Sequence, residues 1–162
     1  MPSFFDVQTA YLHFPEQIKS LMLSTVAIEG QPHASYAPFV MGGDRTFYIF
    51  VSGLSTHTHN LKTTAKAGIL LIEDENQASQ VFARQRLMYD CTVELIERDN
   101  PQWQTWADAF KERFGSLIDM LSQLQDFQIF RLVPYSGRFV MGFGAAYEVD
   151  SSNLKCLIPP EN

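Results

Sequence analysis

The feature that most constrains this 162-residue chain is a succession of short, β-rich segments separated at close intervals by turn signals. Residues 21–28 are apolar around Ser24 and Thr25 and run into Glu29-Gly30-Gln31-Pro32, so a strand, a tight turn and a second strand over 33–41 are predicted in that order. Gly42-Gly43-Asp44 marks another turn. Thr46-Phe47-Tyr48-Ile49-Phe50-Val51-Ser52 is dense in β-branched and aromatic side chains, which suits a third strand. Fourth and fifth strands are read over 68–73 and 84–97, on either side of a polar loop at 74–79. A sixth is read over 127–133 and a seventh over 138–143, with Pro134-Tyr135-Ser136-Gly137 as the turn between them. Seven strands in hairpin-like succession with few helices give a mainly β fold, and a closed antiparallel barrel is the architecture they point to.

Helical signals are fewer. Residues 14–18 form a short helical or irregular lead-in, and a short helix over 54–66 has Ser55 and Thr56 as cap candidates. One long helix is predicted over 101–124, in the C-terminal half. Asn100 caps it and Pro101 takes the first helical position, where a missing N–H costs nothing. Trp103, Trp106, Phe110, Phe114, Leu117, Ile118 and Leu121 fall on one stripe, opposite Asp108, Lys111, Glu112 and Ser116. Gly115 inside such a helix costs about 1 kcal/mol relative to alanine, which close packing against a neighbour would explain.

The length fits one domain, read over residues 1–149, followed by a polar, proline-rich and weakly ordered tail over 150–162. Apolar residues make up 46% of the chain and charged residues 19%, a globular balance. The formal charge of −6 argues against nucleic acid, whose affinity comes from lysine and arginine. No run of about 18 apolar residues offers a transmembrane helix. Met1-Pro2-Ser3-Phe4-Phe5-Asp6 lacks the features of a signal peptide, so a cytoplasmic protein is expected. The two cysteines, Cys91 and Cys156, have no CxxC spacing, which leaves neither zinc nor a disulfide expected.

No hydrolase triad motif, phosphate loop, GxGxxG or HExxH is present, and His13, His33, His57 and His59 spell no metal site. Four features carry candidate chemistry. Ser52-Gly53-Leu54-Ser55-Thr56-His57-Thr58-His59-Asn60-Leu61-Lys62 gathers hydroxyls, imidazoles and an amide where a strand meets a helix. It reads either as a phosphate or carboxylate cradle or as an ordinary polar helix start. Arg84-Gln85-Arg86 places two guanidiniums on one face of a strand, suited to an anion or to a solvated sheet face. Asp126 lies between the long helix and the sixth strand. Gly137-Arg138-Phe139-Val140-Met141-Gly142-Phe143-Gly144 puts glycines inside a strand, where they mark bulges or close approach.

Taken together, these segments resemble the HugZ-type haem-utilisation family, within the pyridoxamine 5'-phosphate oxidase-like, FMN-binding split-barrel superfamily. The stretches that carry the resemblance are Gly30-Gln31-Pro32-His33-Ala34-Ser35-Tyr36-Ala37-Pro38-Phe39, residues 52–61, Ala83-Arg84-Gln85-Arg86-Leu87, Glu112-Arg113-Phe114-Gly115, Asp126-Phe127-Gln128-Ile129-Phe130-Arg131-Leu132 and the glycine-rich 137–144 segment. The resemblance covers residues 21–147 and implies a split antiparallel β-barrel that forms a homodimer, with small-molecule ligands at the subunit interface.

The residues it assigns to cofactor binding are Ser35, Tyr36, Ser52, His57, Thr58, Asn60, Arg84, Arg86 and Asp126. The cofactor implied is haem or FMN. His57 stands where flavin-binding relatives often carry a lysine. Haem-degrading members supply a histidine iron ligand beyond the Gly-Phe-Gly segment, whereas no histidine follows His59 in this sequence. Haem binding is therefore expected to be weaker or to use another ligand, with Cys156, His57 and His59 as the candidates. The function implied is a haem-binding protein of haem and iron utilisation, an oxidoreductase if it degrades haem. The alternatives are an FMN-binding oxidoreductase and a non-catalytic carrier that kept the fold.

Overall fold

The computed structural model describes residues 2–161. Met1 and Asn162, the outer ends of the domain and tail read from the sequence, lie outside the described residues. Seven strands form one antiparallel sheet: β1 (Ser20–Val26), β2 (Pro32–Met41), β3 (Phe47–Ser52), β4 (Lys66–Ile72), β5 (Arg86–Ile96), β6 (Phe127–Gly142) and β7 (Ala145–Glu148). Their order is β3-β2-β1-β4-β5-β6-β7, and β6 pairs back onto β3. Six strands therefore close into a barrel, which removes the sheet edges that a flat arrangement would expose, and β7 is added outside the ring.

Alternation along the strands fills the interior. Leu21 and Leu23, Phe39, Phe47 and Ile49, Ile69 and Leu71, Leu87 and Tyr89, and Phe130 and Leu132 belong to one buried cluster. A second cluster lies outside the ring, where Val40, Tyr48, Phe50 and Ile129 meet Trp103, Ala107, Phe110 and Ile118. Most of the stripe read from the sequence is thus the face that packs on β2, β3 and β6, while Leu117 stays 55% exposed.

The long helix is in fact two, α3 (Pro101–Phe114) and α4 (Leu117–Gln123). Gly115 ends the first with φ +89° and ψ −165°, a region essentially reserved for glycine. Nothing lies within 4 Å of the position a Cβ would take there, so backbone conformation accounts for the glycine and close packing does not.

Residues 127–143 were expected as two strands and a turn, but Phe127–Gly142 forms a single 16-residue strand. Cys91 pairs with Pro134 and Asp90 with Ser136, which leaves Tyr135 as the extra residue of a bulge. A proline without an N–H is tolerated at such a place. Gly137 lies under the ring of Tyr89, where a Cβ would come within 2.4 Å of a ring carbon. The true last strand is β7, after a turn in which Gly144 has φ +67°.

A helix that was not read from the sequence, α1 (Phe4–His13), begins with a capping box between Ser3 and Asp6. Its Val7 and Tyr11 are fully buried in the barrel cluster. Arg45, with φ +66° and 3% exposure, stacks on the Tyr11 ring at 4.2 Å. It donates to the backbone oxygens of Tyr11 and Leu12 and to the Tyr89 hydroxyl. The Tyr11 and Tyr89 hydroxyls are hydrogen-bonded to each other, and Tyr11 donates onward to the carbonyl of Leu154.

That last bond belongs to the segment read as a weakly ordered tail. It folds back on α1: Leu157 is buried and bridges Val149, and its N–H donates to the Gln8 side chain, which in turn donates to the carbonyl of Lys155. Burial of Leu157 and satisfaction of these backbone groups oppose the ordering entropy that polar composition alone would leave unopposed.

Candidate functional site

Closure of the barrel assembles the first group of site residues. β3 and β6 pair from Phe47↔Leu132 to Ser52↔Phe127, which carries the chain end of β3 to the residue before β6. There the Gly53 N–H donates to the Asp126 carbonyl at 2.7 Å, and the Ser52 hydroxyl donates to the Asp126 carboxylate at 2.9 Å. A Cβ on Gly53 would stand 2.8 Å from the Asp126 carbonyl oxygen, so glycine is what allows this approach. The Ser52 oxygen also accepts the Leu54 N–H. Its one proton is therefore already committed, and a carboxylate stands beside it.

Helix α2 (Thr56–Thr64) follows at once. Its N-cap Ser55 makes no side-chain hydrogen bond to the first turn, so the first N–H groups remain donors. His57 is half-buried and its Nδ1 lies 2.8 Å from the Ser35 hydroxyl on β2, while its Nε2 is enclosed without a hydrogen-bond partner among the described residues. Burial, and secondly the nearby His33, push the His57 imidazole below its ordinary pKa, which favours the neutral ring. Thr58 and Asn60 face inward. Thr58 donates to the Ser52 carbonyl, and the Asn60 amide donates to the Thr25 hydroxyl at 3.1 Å, both from fully buried positions. They tie α2 to the barrel, and their donors are spent on those ties.

The remaining residues lie on the outer face of the barrel. Tyr36, Met22, Leu70 and Met88 are cross-strand partners in one row over β2, β1, β4 and β5. Their apolar chain neighbours, Ala37, Leu21, Leu23, Ile69, Leu71, Leu87 and Tyr89, fill the interior, so alternation turns this row outward; Tyr36 is 62% exposed and Met22 46%.

At its border stand the two arginines. β5 begins at Arg86, so Arg84 precedes the strand, and the shared strand face expected for the pair does not exist. Arg84 turns onto the Glu73 carbonyl through two of its nitrogens, and Arg86 donates to the Arg84 carbonyl. Tyr36, Arg84 and Arg86 therefore belong with the outer face. Ser35, Ser52, His57, Thr58, Asn60 and Asp126 belong with the α2 junction.

The apolar members of the outer row were not singled out in the sequence. The available signal was apolar residues at both parities of the strands, as in Leu21-Met22-Leu23 and Ile69-Leu70-Leu71, where a solvated sheet would alternate. Among the described residues no group of three or more His, Cys, Asp or Glu side chains is placed to hold a metal ion, and no helix is long and apolar enough to cross a membrane.

Comparison with known proteins places this geometry. The sequence pattern of the pyridoxamine 5'-phosphate oxidase family matches residues 7–141. The haem oxygenase HutZ of Vibrio cholerae serotype O1 is 44% identical over 141 residues, 87% of this chain and 80% of that protein. The crystal structure of HutZ from Vibrio cholerae, described as a haem storage protein, has a TM-score of 0.74 at 38% identity, over 82% of this chain and 91% of that one. The structure of Campylobacter jejuni ChuZ has a TM-score of 0.84 at 31% identity, over 94% of this chain but 63% of that one. These likenesses bear out the split barrel and the resemblance drawn from the sequence.

Proposed function

The chain belongs to the pyridoxamine 5'-phosphate oxidase family, and we propose that within it the protein binds haem for haem utilisation, as a homodimer with the ligand at the subunit interface. The observation that carries this reading is 44% identity to the haem oxygenase HutZ along 87% of the chain. The outer face of the barrel supplies what haem requires of a protein. Tyr36, Met22, Leu70 and Met88 offer an apolar surface to a flat macrocycle, and Arg84 and Arg86 at its border offer counter-charges to carboxylates. The same exposed row, covered by a second copy, gives the interface its apolar centre.

Whichever protein groups hold the iron, Asp126 and His57 act at the α2 junction, where Ser52 and Ser35 fix their orientations. Bound haem supplies the redox chemistry of an oxidoreductase, and this chain's part is to seat it, orient it and exclude water. Work inside the cell, read from the sequence, accords with such a role.

FMN is the second reading, favoured by the family match itself. The uncapped start of α2 is a phosphate-binding feature. Against it stand the Asp126 carboxylate beside Ser52 and a first turn of α2 without lysine or arginine, the helix's one lysine, Lys62, lying in its last turn. The test is the visible spectrum of the purified protein with haemin and, separately, with FMN. An intense, shifted Soret band supports the haem reading. A protein that turns yellow with FMN and leaves the haemin spectrum unchanged overturns it.

A further inference from the structure

A cleft of about 390 Å³ opens on the outer face of the barrel between the start of β1 and the β4–β5 loop. One wall is apolar, made by Met22, Leu70 and Ile72. The charged groups of its lining are Lys19, Arg84 and Asp74, two cations against one anion on a chain whose formal charge is −6. Lys19 is exposed and makes no ion pair among the described residues. Arg84 is held by the Glu73 carbonyl, which fixes its direction. Its only charged partner among the described residues is the exposed Glu75, 3.6 Å from one terminal nitrogen. An apolar wall ending in two cations, one free and one oriented by backbone, complements a ligand that is apolar over most of its area and carboxylated at one edge.

We propose that this cleft seats the carboxylate edge of the porphyrin, with Lys19 and Arg84 as its counter-charges and Met22, Leu70 and Ile72 against the macrocycle. The inference rests on the haem reading and adds to it the orientation of the ligand: the propionate edge points toward the β4–β5 loop and the opposite edge toward Ser24 and Gly68, with Tyr36 and Met88 on either side. Asp74 opposes the carboxylates and sets the limit on affinity.

The test uses metal-free protoporphyrin IX, whose binding owes nothing to an iron ligand, and its dimethyl ester, in which both carboxylates are neutral. Each is titrated by fluorescence into wild type, Lys19→Glu and Asp74→Asn, with thermal unfolding as a check that the fold is kept. The diacid is expected to bind wild type about tenfold more tightly than the ester, a difference typical of charge-assisted contacts. Lys19→Glu should weaken the diacid severalfold and Asp74→Asn should strengthen it, while the ester stays unmoved by both. Equal binding of diacid and ester, or a diacid affinity that neither substitution changes, overturns this seat and leaves the haem reading standing. A protein that binds neither the porphyrins nor haemin overturns both.

Discussion

Ser52 donates its hydroxyl to the Asp126 carboxylate at 2.9 Å and accepts the Leu54 N–H through the same oxygen. The pair turns an apparent anion cradle into a place where a negative charge already resides. A phosphate brought to the start of α2 meets a carboxylate that makes no ion pair among the described residues.

Asp126→Asn is therefore expected to tighten FMN binding by about threefold or more, since it removes the opposing charge and keeps an acceptor for Ser52. Flavin fluorescence quenching measures this. Unchanged or weaker binding of FMN in the variant shows that Asp126 does not face the phosphate path.

Two glycines are expected to be costly to replace, for different reasons. Gly115→Ala forces a side chain into a backbone region that glycine alone occupies freely, at about 1–3 kcal/mol. Gly137→Ala drives a methyl into the Tyr89 ring, and overpacking of this kind costs about 1–3 kcal/mol or more. Tyr89 is also hydrogen-bonded to Tyr11 and Arg45, so Gly137→Ala should be the worse of the two. Urea unfolding midpoints order them. A neutral Gly115→Ala would contradict the assigned break between α3 and α4.

His57 gives stability a pH dependence. Burial holds the folded imidazole below its ordinary value of 6.5, so the unfolded chain takes up a proton that the folded chain does not. This contribution is complete above that value and is lost as pH falls below it toward the folded pKa. The unfolding midpoint should therefore drop between neutral and mildly acid pH, and His57→Gln should flatten that part of the profile. A His57→Gln profile parallel to wild type contradicts the assignment.

How much of this was legible in the sequence follows from which physical signals are local. Strand identities over residues 20–72 rest on composition and turns, and they appear at nearly the expected places. Position 115 was misread because helix periodicity continues across it, and only φ reveals that the glycine ends one helix. Pro134 read as a turn because a bulge depends on the partner strand, where Asp90 and Cys91 shift register. The family-linked residues 52–60 were legible as a motif, but their roles were not. Thr58 and Asn60 are spent on internal bonds that only closure of the barrel creates. The outward row Tyr36–Met22–Leu70–Met88 required strand order, which no local signal carries.

That row makes a claim about assembly. Placing a charge at its centre, Met22→Arg, should convert a dimer into a monomer in sedimentation at micromolar concentration, because an obligate interface of about 2,000 Å² or more does not tolerate an unpaired charge in its apolar core. Wild type that sediments as a monomer removes the interface from this face.

The most direct measurement of the whole account is an equilibrium titration of haemin into wild type and Met22→Arg, followed by the Soret band. Wild type is expected to give a saturable shift, and Met22→Arg to bind at least about tenfold more weakly, a loss of about 1.4 kcal/mol. A haemin spectrum that wild type leaves unchanged, or equal affinity in the two proteins, would contradict a haem site on the outer face of β1 and β4.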